Sequence, residues 1–203
     1  MPISFIKKAD ILSVVDFETT RLETERLYLR APHERDEEDW LDIREESRDF
    51  LEPWEPSWPN RRLLPRDYRN FLKARRKKWR KDQGYSFFLF TKDGDDLIGS
   101  ININNVVRGV AQFASLGYWI GAPYHSKGYM TEAVAAVTCY ALDELSLHKV
   151  TASCIPGNIA SQKVLEKLGF EKEGLARRHL KIAGHWQDHF IYGILASDPR
   201  PIV

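Results

Sequence analysis

The stretch His125-Ser126-Lys127-Gly128-Tyr129-Met130 joins two segments of different period, and that junction limits the folds open to the chain. Before it, Phe113 to Ile120 is an apolar run closed by Gly121 and Pro123, which predicts a buried strand ending in a turn. After it, Met130, Ala133, Val134, Val137, Tyr140, Ala141 and Leu145 follow the three-and-four spacing of a helix with one buried face. The loop therefore feeds a helix N-terminus, where the first N–H groups lack intrahelical partners and the dipole is positive. An anion such as a pyrophosphate can be held there by backbone alone. Gly128, lacking Cβ, permits positive φ and a close approach of the ligand. The same residues also read as a plain strand-to-helix turn capped by Ser126.

With 203 residues, 43% of them hydrophobic, the chain suits one domain with a single core rather than two. Thirty basic residues against 29 acidic leave a net charge of +1, so bulk charge argues for neither a nucleic-acid wrapper nor an acidic tail. Cys139 and Cys154 make no disulfide framework and no metal site, and both read as small buried residues. The N-terminus lacks the apolar region of a secretory signal, and no apolar run reaches the length of a membrane span. The expected compartment is the cytoplasm. The expected organisation is an N-terminal extension over 1–23, one domain over 24–197 and a tail over 198–203.

Along the chain, Arg26 to Arg30 alternates as a strand, and Glu34 to Asp49 is acid-rich with Trp40, Ile43, Ser47 and Phe50 at helical spacing. Pro53 to Pro59 carries three prolines and two tryptophans, Trp54 and Trp58, and must be a loop presenting aromatics, to a site or to the core edge. Arg61 to Lys81 holds eleven cations against one acid, Asp67, on a helix whose Tyr68, Phe71, Leu72 and Trp79 share one side. That surface suits either solvent or an anionic partner. Tyr85 to Thr91 and Leu97 to Asn104 form a hairpin about an Asp-Gly turn. Lys149 to Ile155 is a further strand, Asn158 opens a helix that runs to Gly169, and 170–181 with 185–195 read as a terminal hairpin. The sum is a mixed α/β, or α+β, sandwich.

A second feature follows the loop: Asn158-Ile-Ala-Ser161, then Lys163 through Gly169-Phe170. Together they resemble the two acetyl-CoA motifs of the GNAT N-acetyltransferase superfamily, from about Arg21 to Leu195. Within it the chain is most similar to the RimJ/RimL group of ribosomal-protein alanine N-acetyltransferases. The marks are Phe50-Leu-Glu-Pro-Trp-Glu-Pro56, Asn105-Val-Val-Arg-Gly109, Leu116-Gly-Tyr118 and Gly169-Phe-Glu-Lys-Glu-Gly174. The resemblance implies a twisted, mostly antiparallel mixed sheet splayed at its centre, with helices on both faces and acetyl-CoA in the gap. It implies that the backbone of Tyr118, Trp119 and Ile120 pairs with the pantetheine arm and that His125, Ser126, Lys127, Gly128, Tyr129 and Met130 hold the pyrophosphate. Asn158 would bond the pantetheine or the loop, besides serving as an N-cap, and Ser161 would protonate the departing thiolate. The loop departs from the family pattern at His125 and Met130, and Ser115 stands where many members carry a glutamate base.

The resemblance implies a cytoplasmic, acetyl-CoA-dependent, metal-free N-acetyltransferase acting on the N-terminal α-amine of a ribosomal protein with alanine or serine first. An α-amine has a pKa of about 7.7 to 8.0, so a neutral fraction is present without a strong base. Glu55, through a water, and Asp188 are the candidate proton acceptors, and Trp54, Glu55, Tyr85, Asn104, Asn105 and Trp186 are the candidate acceptor pocket. Attack is expected to be direct, since neither cysteine is expected in the site. The alternatives are a ribosome-binding or assembly factor that uses the basic 61–81 helix on ribosome or rRNA, and an enzyme acetylating a small amine such as an antibiotic.

Overall fold

The computed structural model describes residues 16–202, so most of the expected 1–23 extension lies outside the described residues. The strands are β1 (Arg21–Glu23), β2 (Leu27–Arg30), β3 (Gly84–Thr91), β4 (Leu97–Val107), β5 (Phe113–Ile120), β6 (Lys149–Cys154), β7 (Glu171–Ile182) and β8 (His185–Leu195). The helices are α1 (Glu37–Glu46), α2 (Arg48–Leu51), α3 (Pro65–Arg80), α4 (Tyr129–Cys139) and α5 (Ile159–Lys167). All eight strands join one sheet in the order β1-β2-β3-β4-β5-β6-β8-β7. Among the described residues only β5 and β6 run parallel, as the crossover through α4 between them requires.

Strand alternation divides the side chains between two faces. Phe88 stacks on Phe71 of α3 at 5.9 Å, and Gly121, just past β5, abuts Ile43 of α1, so α1 and α3 cover one face. Phe87 meets Tyr140, at the end of α4, edge-on at 5.5 Å, so α4 covers the other. Because β2 pairs only with Phe88 to Thr91, the first half of β3 would be a bare edge. Trp79 wraps that edge, packing on Tyr85 and Phe87 at 4.9 and 5.4 Å, with Phe17 behind it.

The elements differ from the sequence expectation where short-range signals compete. The acid-rich segment breaks at Ser47, buried with its hydroxyl accepting the Ala122 amide, so one expected helix becomes α1 and α2. The basic helix begins at Pro65 rather than at residue 61, since proline suits a first helical position. Arg61 instead folds back on Asp67, 2.7 Å away. The α4 helix ends in a π turn over Tyr140–Glu144.

Beneath the hairpin, Asp82 is buried and takes both Nε and Nη2 of Arg108 at 2.9 Å, as well as the Tyr85 hydroxyl at 2.6 Å. Removing one partner of such a pair leaves a charge in a low-dielectric setting. Arg108→Leu is expected to cost about 3 kcal/mol in urea unfolding. A loss below about 1 kcal/mol would show the pair to be peripheral.

Candidate functional site

The parallel ladder of β5 and β6 runs from Phe113↔Lys149 to Leu116↔Ala152 and then stops. Beyond it β5 continues through Gly117 to Ile120 with β4 on one side only, while β6 continues to Cys154 against β8. The sheet is thus open from residue 117 onward. Backbone groups of Tyr118, Trp119 and Ile120 that would face β6 border the gap, and an extended ligand can take the place of the missing strand.

At the far end of β5 lies the loop. Gly128 is the N-cap of α4 with φ +84°, and no side chain among the described residues caps the helix. Ser126, itself at φ +59°, does not act as the cap, so the first-turn N–H groups are available to an anion. Helix α5 is different, because the Asn158 side chain accepts the Ser161 amide at 3.0 Å. Asn158 is therefore used as an N-cap. His125 is exposed, tied to the Ala122 carbonyl by Nδ1 at 2.6 Å and packed against Phe50. Met130 is buried under the loop, while Lys127 extends over Tyr124.

Arg26 braces the loop from behind. Its Nη1 donates to the Lys127 carbonyl at 3.0 Å, its guanidinium pairs with Glu132 at 2.8 Å, and it lies over the Tyr129 ring. Glu132, only 5% exposed, also accepts from the Thr24 hydroxyl and the Arg26 amide. Burial pushes its pKa up, but the Thr24 and Arg26 bonds outweigh that and hold the carboxyl below its usual range. A depressed carboxylate stabilises the fold above its unfolded pKa, and this contribution disappears as pH falls through the folded value.

On the face of α4 and α5, the first side chains past the last rung are Tyr118 on β5 and Cys154 on β6. They flank the opening, and Ser161 of α5 meets both. The Tyr118 hydroxyl lies 2.8 Å from Ser161 Oγ, and Cys154 also neighbours Ser161, whose hydroxyl pulls the thiol pKa down. Cys154 therefore lies in the site, contrary to the sequence expectation. Strand alternation on β6 turns it inward beside Ala152. Burial pushes both the Cys154 thiol and the Tyr118 phenol up, so both stay protonated at neutral pH. The sequence motif assigns Tyr118 a backbone role only and does not reveal its hydroxyl. The register of the parallel pair, which no local pattern encodes, is the signal that places it there.

The opposite face carries a polar row beside the opening: Asn102, Asn104 and Ser115, with Gly117 supplying no side chain. Ser115 Oγ donates to the Asn104 carbonyl at 3.3 Å, and Asn105, at φ +54°, donates to Ser115 Oγ at 3.2 Å. Arg75 reaches Asn104 Oδ1 at 3.3 Å, and buried Asn102 Oδ1 has no partner among the described residues. Tyr85 is fully buried against Trp79 and Asp82, which places it in the core rather than in a pocket.

Glu55 does not stand free as a base. Arg44 Nη1 and Nη2 donate to its two oxygens at 2.8 and 2.6 Å, Trp58 Nε1 donates at 3.0 Å, and Arg44 stacks between Trp58 and Trp119. This ion pair fixes the tryptophan loop, whose Glu55 carbonyl also accepts the Ala183 amide from the β7–β8 tip. Asp188 accepts the Arg178 amide at 2.7 Å. By strand alternation it lies on the face of Phe190 and Tyr192, away from the polar row. Trp54 and Trp186 are 39% and 62% exposed and flank the same end of the molecule. Between the loop and the hairpin tip, Asp49, Glu52, Pro53, Ser57, Trp58 and Ala183 line a cavity of about 390 Å³.

The basic surface is partly neutralised. Arg61, Arg62, Arg69 and Arg76 pair with Asp67, Asp42, Glu37 and Glu34. No helix among the described residues is long and apolar enough to cross a membrane.

An open mixed sheet, an uncapped helix N-terminus at the end of its central strand and a hydroxyl pair at the gap define an acyl-CoA-dependent acetyltransferase. Residues 26–171 match the acetyltransferase (GNAT) domain family, and the chain belongs to it as an acetyl-CoA-dependent N-acetyltransferase. The chain is 37% identical over 177 residues to the probable N-acetyltransferase YjcK of Bacillus subtilis, spanning 87% of this chain and 98% of the relative. It is 36% identical over 181 residues to the ribosomal protein uS5-alanine N-acetyltransferase of Escherichia coli, spanning 89% and 93%. The structure of Mycobacterium smegmatis RimJ in complex with CoA-disulfide superposes with a TM-score of 0.81 at 30% identity, covering 87% of this chain and 86% of that one.

Gly128 offers a direct test of the loop. A Cβ there would come within 3.3 Å of Arg26 Nη2, at a backbone angle that side chains rarely adopt. Gly128→Val is expected to weaken acetyl-CoA binding by about tenfold or more in calorimetry. Gly157→Ala, where an added Cβ meets nothing within 4 Å, is expected to leave it unchanged.

Proposed function

We propose that the protein transfers the acetyl group of acetyl-CoA directly to the N-terminal α-amine of a protein, with a ribosomal protein that begins with alanine or serine as the acceptor. The observation that carries the reading is the opening itself. One face presents the hydroxyls of Tyr118 and Ser161, and the other presents the polar row of Asn102, Asn104 and Ser115. The donor substrate fits the residues present: the uncapped α4 terminus suits a diphosphate, and the open edge of Tyr118 to Ile120 suits an amide-bearing arm. The relatives acting on ribosomal protein uS5 support a protein acceptor.

In this reading the loop 125–130 holds the diphosphate by backbone N–H groups, and Asn158 keeps Ser161 in place by capping α5. Ser161 donates a proton to the sulfur as the amine displaces it. Trp54, Asn104, Asn105 and Trp186 border the acceptor's path, together with Trp58. Glu55 acts by bracing that loop. An α-amine, unlike a lysine side chain, supplies enough neutral nucleophile at neutral pH to lose its proton to water once it has attacked. The buried, protonated Cys154 is a poor nucleophile, which favours one direct step over an acyl-enzyme.

Ribosomal proteins incubated with enzyme and acetyl-CoA, then mapped by intact mass and peptide sequencing, test the acceptor. One acetyl group on an N-terminal residue is expected. Acetylation confined to lysine side chains, or to small amines only, would overturn the reading. Ser161→Ala is expected to lower kcat roughly a hundredfold while leaving acetyl-CoA affinity within a factor of two.

A further inference from the structure

We propose that Tyr118 is a positioning residue for the proton donor, acting through Ser161, so that β5 supplies the second half of a two-hydroxyl device at the opening. The inference deepens the reading above and rests on it for the identity of the leaving group. Tyr118 and Cys154 are the first inward-facing side chains after the last rung of the parallel ladder, one on each lip of the gap. Both converge on Ser161, with Tyr118 Oη 2.8 Å from Ser161 Oγ.

The direction of the bond follows from acidity. A phenol is far more acidic than an aliphatic alcohol and is the better donor, whereas a serine oxygen has two lone pairs. The Tyr118 O–H therefore donates into one lone pair of Ser161 Oγ. The Ser161 proton is then turned away from Tyr118, toward Cys154 and the gap. A hydroxyl that accepts hydrogen bonds is polarised into a stronger donor. Burial of the phenol keeps it protonated, so this arrangement persists across neutral pH.

The transfer balances as follows. The amine nitrogen donates its lone pair to the thioester carbonyl carbon, the C–S bond breaks and its electron pair goes to sulfur. Sulfur takes the Ser161 proton, which is replaced from solvent, and the attacking nitrogen releases one proton to solvent. Tyr118 gains and loses no proton. Its work is orientation and polarisation.

The test is a double-mutant cycle of Tyr118→Phe and Ser161→Ala. Tyr118→Phe removes one oxygen and keeps the ring in the gap. It is expected to lower kcat about five- to tenfold at unchanged KM for acetyl-CoA and unchanged Tm, the size of one hydrogen bond. In the Ser161→Ala background the same substitution is expected to change kcat by less than about twofold, since the residue through which it acts is gone. A readout independent of turnover is the pKa of the thiol of bound coenzyme A, followed by thiolate absorbance. It is expected to rise in Tyr118→Phe and in Ser161→Ala, and to rise no further in the double variant. Additive losses, an unchanged kcat in the single variant, or a loss confined to KM would overturn the role. Assays with alaninamide as acceptor separate this from the acceptor assignment. A wild-type enzyme that acetylates alaninamide but no protein N-terminus would sink the latter, while the cycle still reads Tyr118.

Discussion

The end of the β5–β6 ladder at Leu116↔Ala152 is the constraint on which the rest of the structure depends. A sheet that stops pairing in its middle leaves backbone donors and acceptors facing a gap, and such groups need water or a ligand. Two features hold the gap open. The irregularity of β4 between Asn104 and Val107 twists the sheet where β5 begins, and Pro156 ends β6 while Asn158 starts α5 across the opening. The tyrosine–serine contact then ties β5 to α5 at the edge of the gap.

The two helices at the gap have opposite capping, and the difference divides the work. Helix α5 satisfies its first turn internally through Asn158, which makes Ser161 a fixed point. Helix α4 leaves its first turn open and is steadied from behind by Arg26 and Glu132, whose bonds reach back to the β1–β2 turn. An uncapped terminus costs stability unless water or an anion satisfies it, so the loop trades local stability for binding. The charge of Arg26 offsets that of Glu132, which leaves the helix terminus and Lys127 as local sources of positive potential on the loop.

Periodicity made most of this legible. The helical stripe from Met130 to Leu145, the apolar run of β5 and the Asp-Gly hairpin each report local burial, and each formed where expected. The pair β1 and β2 was only half read. A strand of three residues, Arg21 to Glu23, is too short to show a period, and it exists because it can pair with β2. Side-chain roles were less legible than elements. That Glu55 is clamped by Arg44 depends on two residues eleven apart turning toward each other, with Trp58 and Trp119 around them. That Tyr118 meets Ser161 depends on a parallel register set across a helix and a strand. The motif residues could be named from sequence, but the direction in which each one points could not.

Cys154 shows how such placement decides chemistry. A cysteine beside Ser161 invites a two-step route, in which the enzyme first takes the acetyl group itself. That route needs a thiolate, and thiolates form where positive charge or a helix N-terminus lowers the pKa. Here burial acts first and drives the thiol up, against the opposing pull of the Ser161 bond and the charge of Lys172. As a protonated thiol that accepts from Ser161, Cys154 is a weak nucleophile. The same burial that keeps Tyr118 a phenol therefore keeps Cys154 a thiol, which disfavours an acyl-enzyme and fits the proposed direct attack by the amine.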